Sequence, residues 1–184
     1  MTRTHQRDAF TDLDDPEWLA LFENMQESWF RLETLQVYSV DYEREDYERF
    51  LATGRLERAP GEWQAMIRRH AEAGRSLRRV HIIGEPLTDY LRYELQAYRH
   101  NSTAGEEVRV IPTPVPNWPA GLPRGVDYWL FDDREVWDMH YDDEGRFLRA
   151  ARSTSASHLD QCREWRDSAI AQSITLSDYL RHTP

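Results

Sequence analysis

The sequence predicts a single α/β (mixed α+β) domain: a strand-helix-strand crossover enters a mixed sheet that continues as an antiparallel meander. Helices flank the sheet, with the N- and C-terminal helices packing on it. Three observations carry this reading. Arg79-Val80-His81-Ile82-Ile83-Gly84, a helical stretch opened by Pro86 and running to about His100, and Glu107-Val108-Arg109-Val110-Ile111 have the lengths of a right-handed parallel crossover. Residues 128–132, 135–141 and 146–150 form three short strands, and Asp142-Asp143-Glu144-Gly145 supplies the turn, with Gly145 able to take positive φ. A chain of 184 residues buries one self-sufficient core, whereas two domains would be cramped.

Taken in order, residues 1–15 are polar and acidic and are expected to be a flexible segment. Asp14-Asp15-Pro16 supplies a cap and a first-turn proline. Trp18, Leu21, Phe22, Met25 and Trp29 then recur at helical spacing. A strand is expected over 35–41, a Tyr- and Glu-rich helix over 42–52 stopped at Thr53-Gly54, and a helix over 61–73 burying Trp63, Met66, Ile67 and Ala71. Five prolines and a glycine between 112 and 124 predict an irregular loop (112–125) with Trp118 as its large apolar group. A helix over 155–172 should face Leu159, Cys162, Trp165, Ala169 and Ile170 inward, and a short helix near 176–180 ends the pattern.

Composition narrows the function classes. With 33 acidic against 23 basic residues, the net charge of −10 opposes attraction to a phosphate backbone, so no direct nucleic-acid contact is expected. Every basic residue is arginine, which removes a lysine Schiff base and a P-loop lysine together. One cysteine, Cys162, excludes an internal disulfide framework or a multi-cysteine zinc site and fits a reducing cytoplasm. No apolar run is long enough to cross a bilayer and the start is not a signal sequence, so a soluble cytoplasmic protein without membrane contact is expected. No G-x-S-x-G elbow, glycine-rich dinucleotide loop, H-E-x-x-H or C-x-x-C occurs.

Several residues are nevertheless candidates for chemistry. Asp138-x-His140-x-Asp142 alternates on a strand, so its three side chains share one face and could act as catalytic groups or bind a divalent metal, with Asp132 or Asp133 adding an oxygen. The competing reading buries Trp137, Met139 and Tyr141 and leaves the Asp/His face in water. Glu94 falls at the centre of an apolar helical stripe, where it is either an active-site acid, a fourth catalytic candidate, or a structural charge that needs a partner. Arg166 shows the same anomaly on the C-terminal helix, so a structural Glu94–Arg166 ion pair is expected, with Arg92 or Arg79 as fallbacks. His70 and His81 sit on inward positions and read as hydrogen-bonded core histidines. Gly84-Glu85-Pro86-Leu87-Thr88-Asp89 lies at the carboxyl end of a parallel strand, where open α/β sheets bind ligands, making Glu85, Asp89 and Arg79, together with Trp118, the candidate binding residues.

Residues 79–94, then Asn101 to Gly105 with Glu106 to Ile111, Asp127-Tyr128-Trp129-Leu130-Phe131-Asp132-Asp133 and Met139-His140-Tyr141-Asp142 resemble the actinobacterial DUF6879 domain. The resemblance spans nearly the whole chain and supplies no activity. It implies a neighbourhood of helix-turn-helix regulators and small DUF397-type proteins. The element order is also similar to half of a phospholipase D-like domain, whose His-x-Lys-x4-Asp signature a lysine-free chain cannot contain. Together these lead to a non-enzymatic accessory or regulatory domain, monomeric or homodimeric, that needs no cofactor and binds a small ligand or a protein partner such as a helix-turn-helix regulator. The alternative is a small hydrolase or phosphodiesterase-like enzyme acting through the Asp/His face, with or without a divalent metal.

Overall fold

A computed structural model of the chain describes residues 7–182. Its elements run β1 (Ala9–Phe10), α1 (Pro16–Asn24), β2 (Ser28–Glu33), a 3-10 turn (Asp41–Glu43), α2 (Arg44–Thr53), α3 (Glu62–Glu72), β3 (Ser76–Glu85), α4 (Asp89–Ala104), β4 (Glu107–Pro114), β5 (Asp127–Phe131), β6 (Glu135–Tyr141), β7 (Phe147–Arg152), α5 (Ala156–Gln172), β8 (Ile174–Thr175) and α6 (Leu176–His182). The strands form one sheet in the order β1-β7-β6-β5-β2-β3-β4-β8. Strands β2, β3 and β4 are mutually parallel and every other pairing is antiparallel. The mixed α/β sheet, its crossover and its meander match the fold class that the sequence predicts.

Strand alternation divides the side chains between two helical layers. Trp29, Trp129, Phe131, Trp137 and Met139 pack with Trp18 and Phe22 of α1 and with Met66 and Ile67 of α3. Phe30, Leu32, Val80, Ile82, Tyr128 and Leu130 face the opposite way, onto Cys162 and Ala169 of α5. Helix α4 covers β3 and β4 together with α6, through Leu91, Leu95 and Tyr98 against Ile83, Val108, Val110, Leu176 and Tyr179. Helix starts follow their caps: Asp15 accepts from the Glu17 amide, Thr88 from Leu91 and Ser155 from His158.

Four local expectations change. The stretch read as helix through Trp29 ends at Asn24, and the strand expected at 35–41 is instead Ser28–Glu33, at the middle of the sheet. Arg31 and Glu33 interrupt the apolar alternation there because both are buried charges, so the strand periodicity is hidden in the sequence. The proline-rich segment is not wholly irregular, since β4 runs through Pro112 to Pro114 alongside Ile83 to Glu85. The expected flexible segment is partly built in: Ala9 and Phe10 pair with β7, and Phe10 packs on Trp18 and Trp137. Residues 1–6 lie outside those described. No described helix is long and apolar enough to cross a membrane.

The β6–β7 turn also anchors the segment that follows β2. Gly145 has φ 77°, its carbonyl accepts from the Ser39 amide at 2.9 Å, and a Cβ there would strike the Val37 carbonyl. Gly145→Ala should therefore cost about 2–4 kcal/mol in urea denaturation, from left-handed strain plus the backbone clash. Gly121→Ala, at φ 73° with open space around it, should show only the strain component of about 1–2 kcal/mol.

Candidate functional site

The alternation that gives β2 its apolar side also turns Trp29, Arg31 and Glu33 toward the α1/α3/α4 layer. Parallel register sets Arg31 beside Arg79 and Glu33 beside His81, while antiparallel register sets Arg31 beside Trp129. Two guanidinium groups on adjacent strands need an anion between them. Glu33 supplies it, with Oε1 at 3.4 Å from Arg31 Nε and Oε2 at 2.8 Å from Arg79 Nη1. Asp127 of β5 accepts from Arg31 Nη2 at 3.0 Å, from the Thr34 amide and hydroxyl, and from the Tyr38 hydroxyl. Glu106 accepts from Arg79 Nε and Nη2, Asn101 Nδ2 and Trp29 Nε1. All these charged groups are buried, so the cost of desolvating each is offset by its partners; Arg31 Nη1 is the donor of this set left without one.

Helix α4 brings Tyr90, Glu94, Tyr98 and Asn101 to the same face by i, i+4 and i+3 spacing. The Tyr98 hydroxyl donates to Glu33 Oε2 at 2.6 Å, so its oxygen receives from His81 Nδ1 at 2.9 Å. His81 Nε2 meets the Leu35 carbonyl at 2.7 Å, an acceptor only. Both ring nitrogens therefore donate, and His81 is an imidazolium. Its electrostatics agree: burial alone would lower its pKa, but Glu94, Glu33 and the Leu35 carbonyl raise it to about 9. Burial likewise pushes Glu33 up, but Arg79, Arg31 and His81 hold it well below the usual carboxylate range. Glu94 is raised by burial, against the pull of His81, whose Nδ1 lies 3.3 Å from Glu94 Oε2 as an ion-pair contact rather than an aligned hydrogen bond.

Above this charged floor lies a cavity of about 530 Å³. Trp18, Phe22, Trp63, Trp129, Tyr38 and Tyr141 give it aromatic walls. Arg31, Glu33, Arg79, Glu94 and Glu43 reach it from the floor and sides, and the exposed Leu19 and Tyr42 stand at its margin. Glu43, in the 3-10 turn, accepts from the Tyr90 hydroxyl at 2.8 Å. Burial and the nearby Glu94 push the Glu43 carboxyl up to about 7, against Tyr90 and Arg58.

Glu33, His81 and Glu94 place ligand atoms within 4.8 Å of one another, the spacing a metal ion would need. Both Glu33 oxygens, however, are in ion pairs with arginine, and neither His81 nitrogen has a free lone pair. The trio is a salt-bridge cluster whose central positive charge is the imidazolium itself.

The other sequence-derived candidates fall elsewhere. The Glu94–Arg166 pair does not form: Glu94 is on the α1/α3/α4 side with His81, whereas Arg166 on α5 binds Asp133 and Asp167 across the sheet. A helical wheel locates the inward face of each helix but not the sheet layer that faces it. Asp138, His140 and Asp142 do not converge. Asp138 binds His158 of α5 at 2.8 Å, His140 is exposed, and a register irregularity after His140 leads into Asp142, which accepts from the Glu144 and Arg146 amides of the turn. Cys162 adds a thiol 3.7 Å from His158 Nε2, but this is the same nitrogen that meets Asp138, so no relay runs through the ring. The thiol is buried, and burial with Asp138 raises its pKa to about 12.

Arg79 is in the buried network, away from the strand end where it was expected to meet a ligand. Glu85 accepts from the Tyr179 hydroxyl at 2.9 Å, and the exposed Asp89 pairs with Arg92. Trp118 is half-buried rather than presented: Nε1 donates to the Leu122 and Pro123 carbonyls, Arg124 lies 4.7 Å over its ring, and its body packs on the α5 side of the core. His70 is buried and contacts Arg75 through Nδ1. Arg31, Glu33, Glu106 and Asp127 were missed. For Arg31, Glu33 and Asp127 the signal is charge within apolar strands, as in Ser28-Trp29-Phe30-Arg31-Leu32-Glu33, whereas Glu106 precedes its strand and carries no such signal.

Two outcomes test the network. Glu33→Ala should destabilise by about 3–5 kcal/mol in chemical denaturation, because it leaves two neighbouring buried guanidinium groups without their shared anion. Stability should fall as pH rises. His81 has its folded pKa raised from 6.5 to about 9, so its contribution is complete below 6.5 and is lost through about 9. Glu43, raised from 4.5 to about 7, adds the same sign of slope in the lower range. Thermal melts from pH 5 to 9.5 should show the decline, and His81→Gln should remove its upper part.

Comparison with known proteins adds kinship. A family model described as "Domain of unknown function (DUF6879)" matches residues 16–181. The match takes in every element from α1 to β8 and most of α6. No curated protein matches the chain.

Proposed function

We propose, for a chain that belongs to the DUF6879 domain family, that its role is to bind a small molecule in the cavity between the sheet and helices α1, α3 and α4, without transforming it. The observation that carries this reading is the cavity itself, about 530 Å³ with aromatic walls over a charged floor. Its size is within the range of small-molecule sites and its lining has their usual mixture of apolar wall and few polar groups. The floor supports binding rather than catalysis. Its arginines are committed to Glu33, Glu106 and Asp127, which leaves a rigid polar surface and no nucleophile with an adjoining base. A binding domain of this kind suits an accessory or regulatory role, in which occupancy is read by a protein partner. A helix-turn-helix regulator is the partner that the family resemblance points to.

Ala97, on α4 between Glu94 and Tyr98, lines the cavity. Ala97→Phe should fill it without touching the ion pairs below. In ligand-observed NMR with a fragment library, the wild-type protein should bind aromatic fragments and Ala97→Phe should lose them, with circular dichroism unchanged. Fragments that bind both proteins equally, or no binding by the wild type, would defeat the reading.

A further inference from the structure

The site contains more acid than it pairs with cations. Its cations are Arg31, Arg79 and the His81 imidazolium. Its carboxylates are Glu33, Glu106, Asp127, Glu94 and Glu43, and the first three pair with both arginines, of which Arg31 keeps Nη1 unbonded. Arg58, which also lines the cavity, is 3.3 Å from Asp46. Glu94 and Glu43 are left with one imidazolium between them. Glu94 is only 8% exposed, lines the cavity, and has no hydrogen bond to Oε2. Tyr90, one turn earlier on α4, donates to Glu43 and so holds that carboxyl on the same wall. Tyr38, Tyr42 and Tyr90 line the same cavity, and the electron-rich faces of such rings attract cations; the Tyr98 ring already carries Arg79 at 5.2 Å.

Resting on the reading of the cavity as a ligand site, we propose that its ligand is a small organic cation, an alkyl- or aralkylammonium, whose charged head sits between Glu43 and Glu94 and whose hydrocarbon lies against the tryptophan walls. The ammonium supplies the donors that Glu94 lacks and the positive charge that Glu94 and the half-buried Glu43 are short of, with tyrosine rings in the same lining. A divalent metal would find oxygen ligands but make no use of these rings, and would draw Glu33 away from two arginines.

Cation binding competes with protons. Glu43 faces Tyr90, Glu94, Arg58 and Glu33, and Glu94 faces His81, Glu33 and Arg79. Near neutral pH the Glu43 carboxyl, pushed up to about 7, is partly protonated, and an arriving ammonium displaces that proton. Binding should therefore tighten as pH rises through 7 and release protons.

Isothermal titration calorimetry at pH 7 with phenethylammonium, 2-phenylethanol and phenylacetate in phosphate and in HEPES, and with magnesium or zinc chloride alone in HEPES, tests this. Phenethylammonium should bind at least roughly tenfold tighter than the isosteric alcohol. Its heat should differ between the buffers by the ionisation enthalpy of the released protons. Glu43→Gln, which keeps an acceptor for Tyr90, should reduce the preference and the proton release together. Glu94→Gln should do the same, and if that variant does not fold, Glu43→Gln decides. Equal binding of amine and alcohol, preference for phenylacetate, or tighter binding of either metal would overturn the organic cation. In those cases the cavity still stands as a site if Ala97→Phe blocks the fragments, and falls with it if it does not.

Discussion

The rest of this site depends on one carboxylate placed between two guanidinium groups. Glu33 ends the central strand β2, and its two oxygens answer Arg31 on the same strand and Arg79 on the next. Without it, parallel register would set like charges side by side in the core. With it, both arginines are fixed and can in turn hold Asp127 and Glu106, which belong to different parts of the chain. The network joins β2, β3, β5, α4 and the segment before β4, so the cavity floor is set by the same interactions that set strand order. Such a floor costs stability compared with an apolar one, and what it supplies is a specific register and a polar surface that cannot rearrange.

The protonation of His81 follows from direction rather than from burial. A tyrosine that must donate to Glu33 can only accept from the imidazole, and a carbonyl on the other side can only accept as well. The ring is therefore charged in a place where an isolated histidine would be neutral. That charge in turn lets Glu94 stay within the helix face that covers the cavity. Each step in this chain of dependence is a donor or acceptor with a single possible role, which is why the arrangement extends so far with so little freedom.

The two faces of the sheet use the same alternation for different ends. Toward α5 the strand residues are nearly all aliphatic or aromatic, and the polar contacts there, such as Asp138 with His158 and the Tyr128 hydroxyl with the Cys162 carbonyl, are local ties between sheet and helix. Toward α1, α3 and α4 the outer parts are tryptophan and phenylalanine, and the middle is charged and incompletely filled. The incomplete filling leaves a cavity where a core would close: large rings meet edge to face around it without filling it.

By itself the sequence determined the fold class, the crossover from β3 through α4 to β4, the meander of β5 to β7, and the inward face of each long helix. These are local properties, carried by apolar periodicity and by caps and turns within a few residues of one another. It also marked Glu94 as a charge that needed a partner, because a stripe of Leu and Tyr surrounds it. Only the tertiary structure decided which partner. Periodicity pointed to Arg166, with Arg92 or Arg79 behind it, and not to His81; the choice depends on which side of the sheet α4 and α5 pack, a handedness not written in either helix. The same holds for Arg31, Glu33, Glu106 and Asp127: as isolated letters they interrupt or, for Glu106, precede the pattern of a buried strand, and they become intelligible only when strand register sets opposite charges across from one another. Local sequence fixes which side of an element is inward, whereas long-range pairing decides what that side meets.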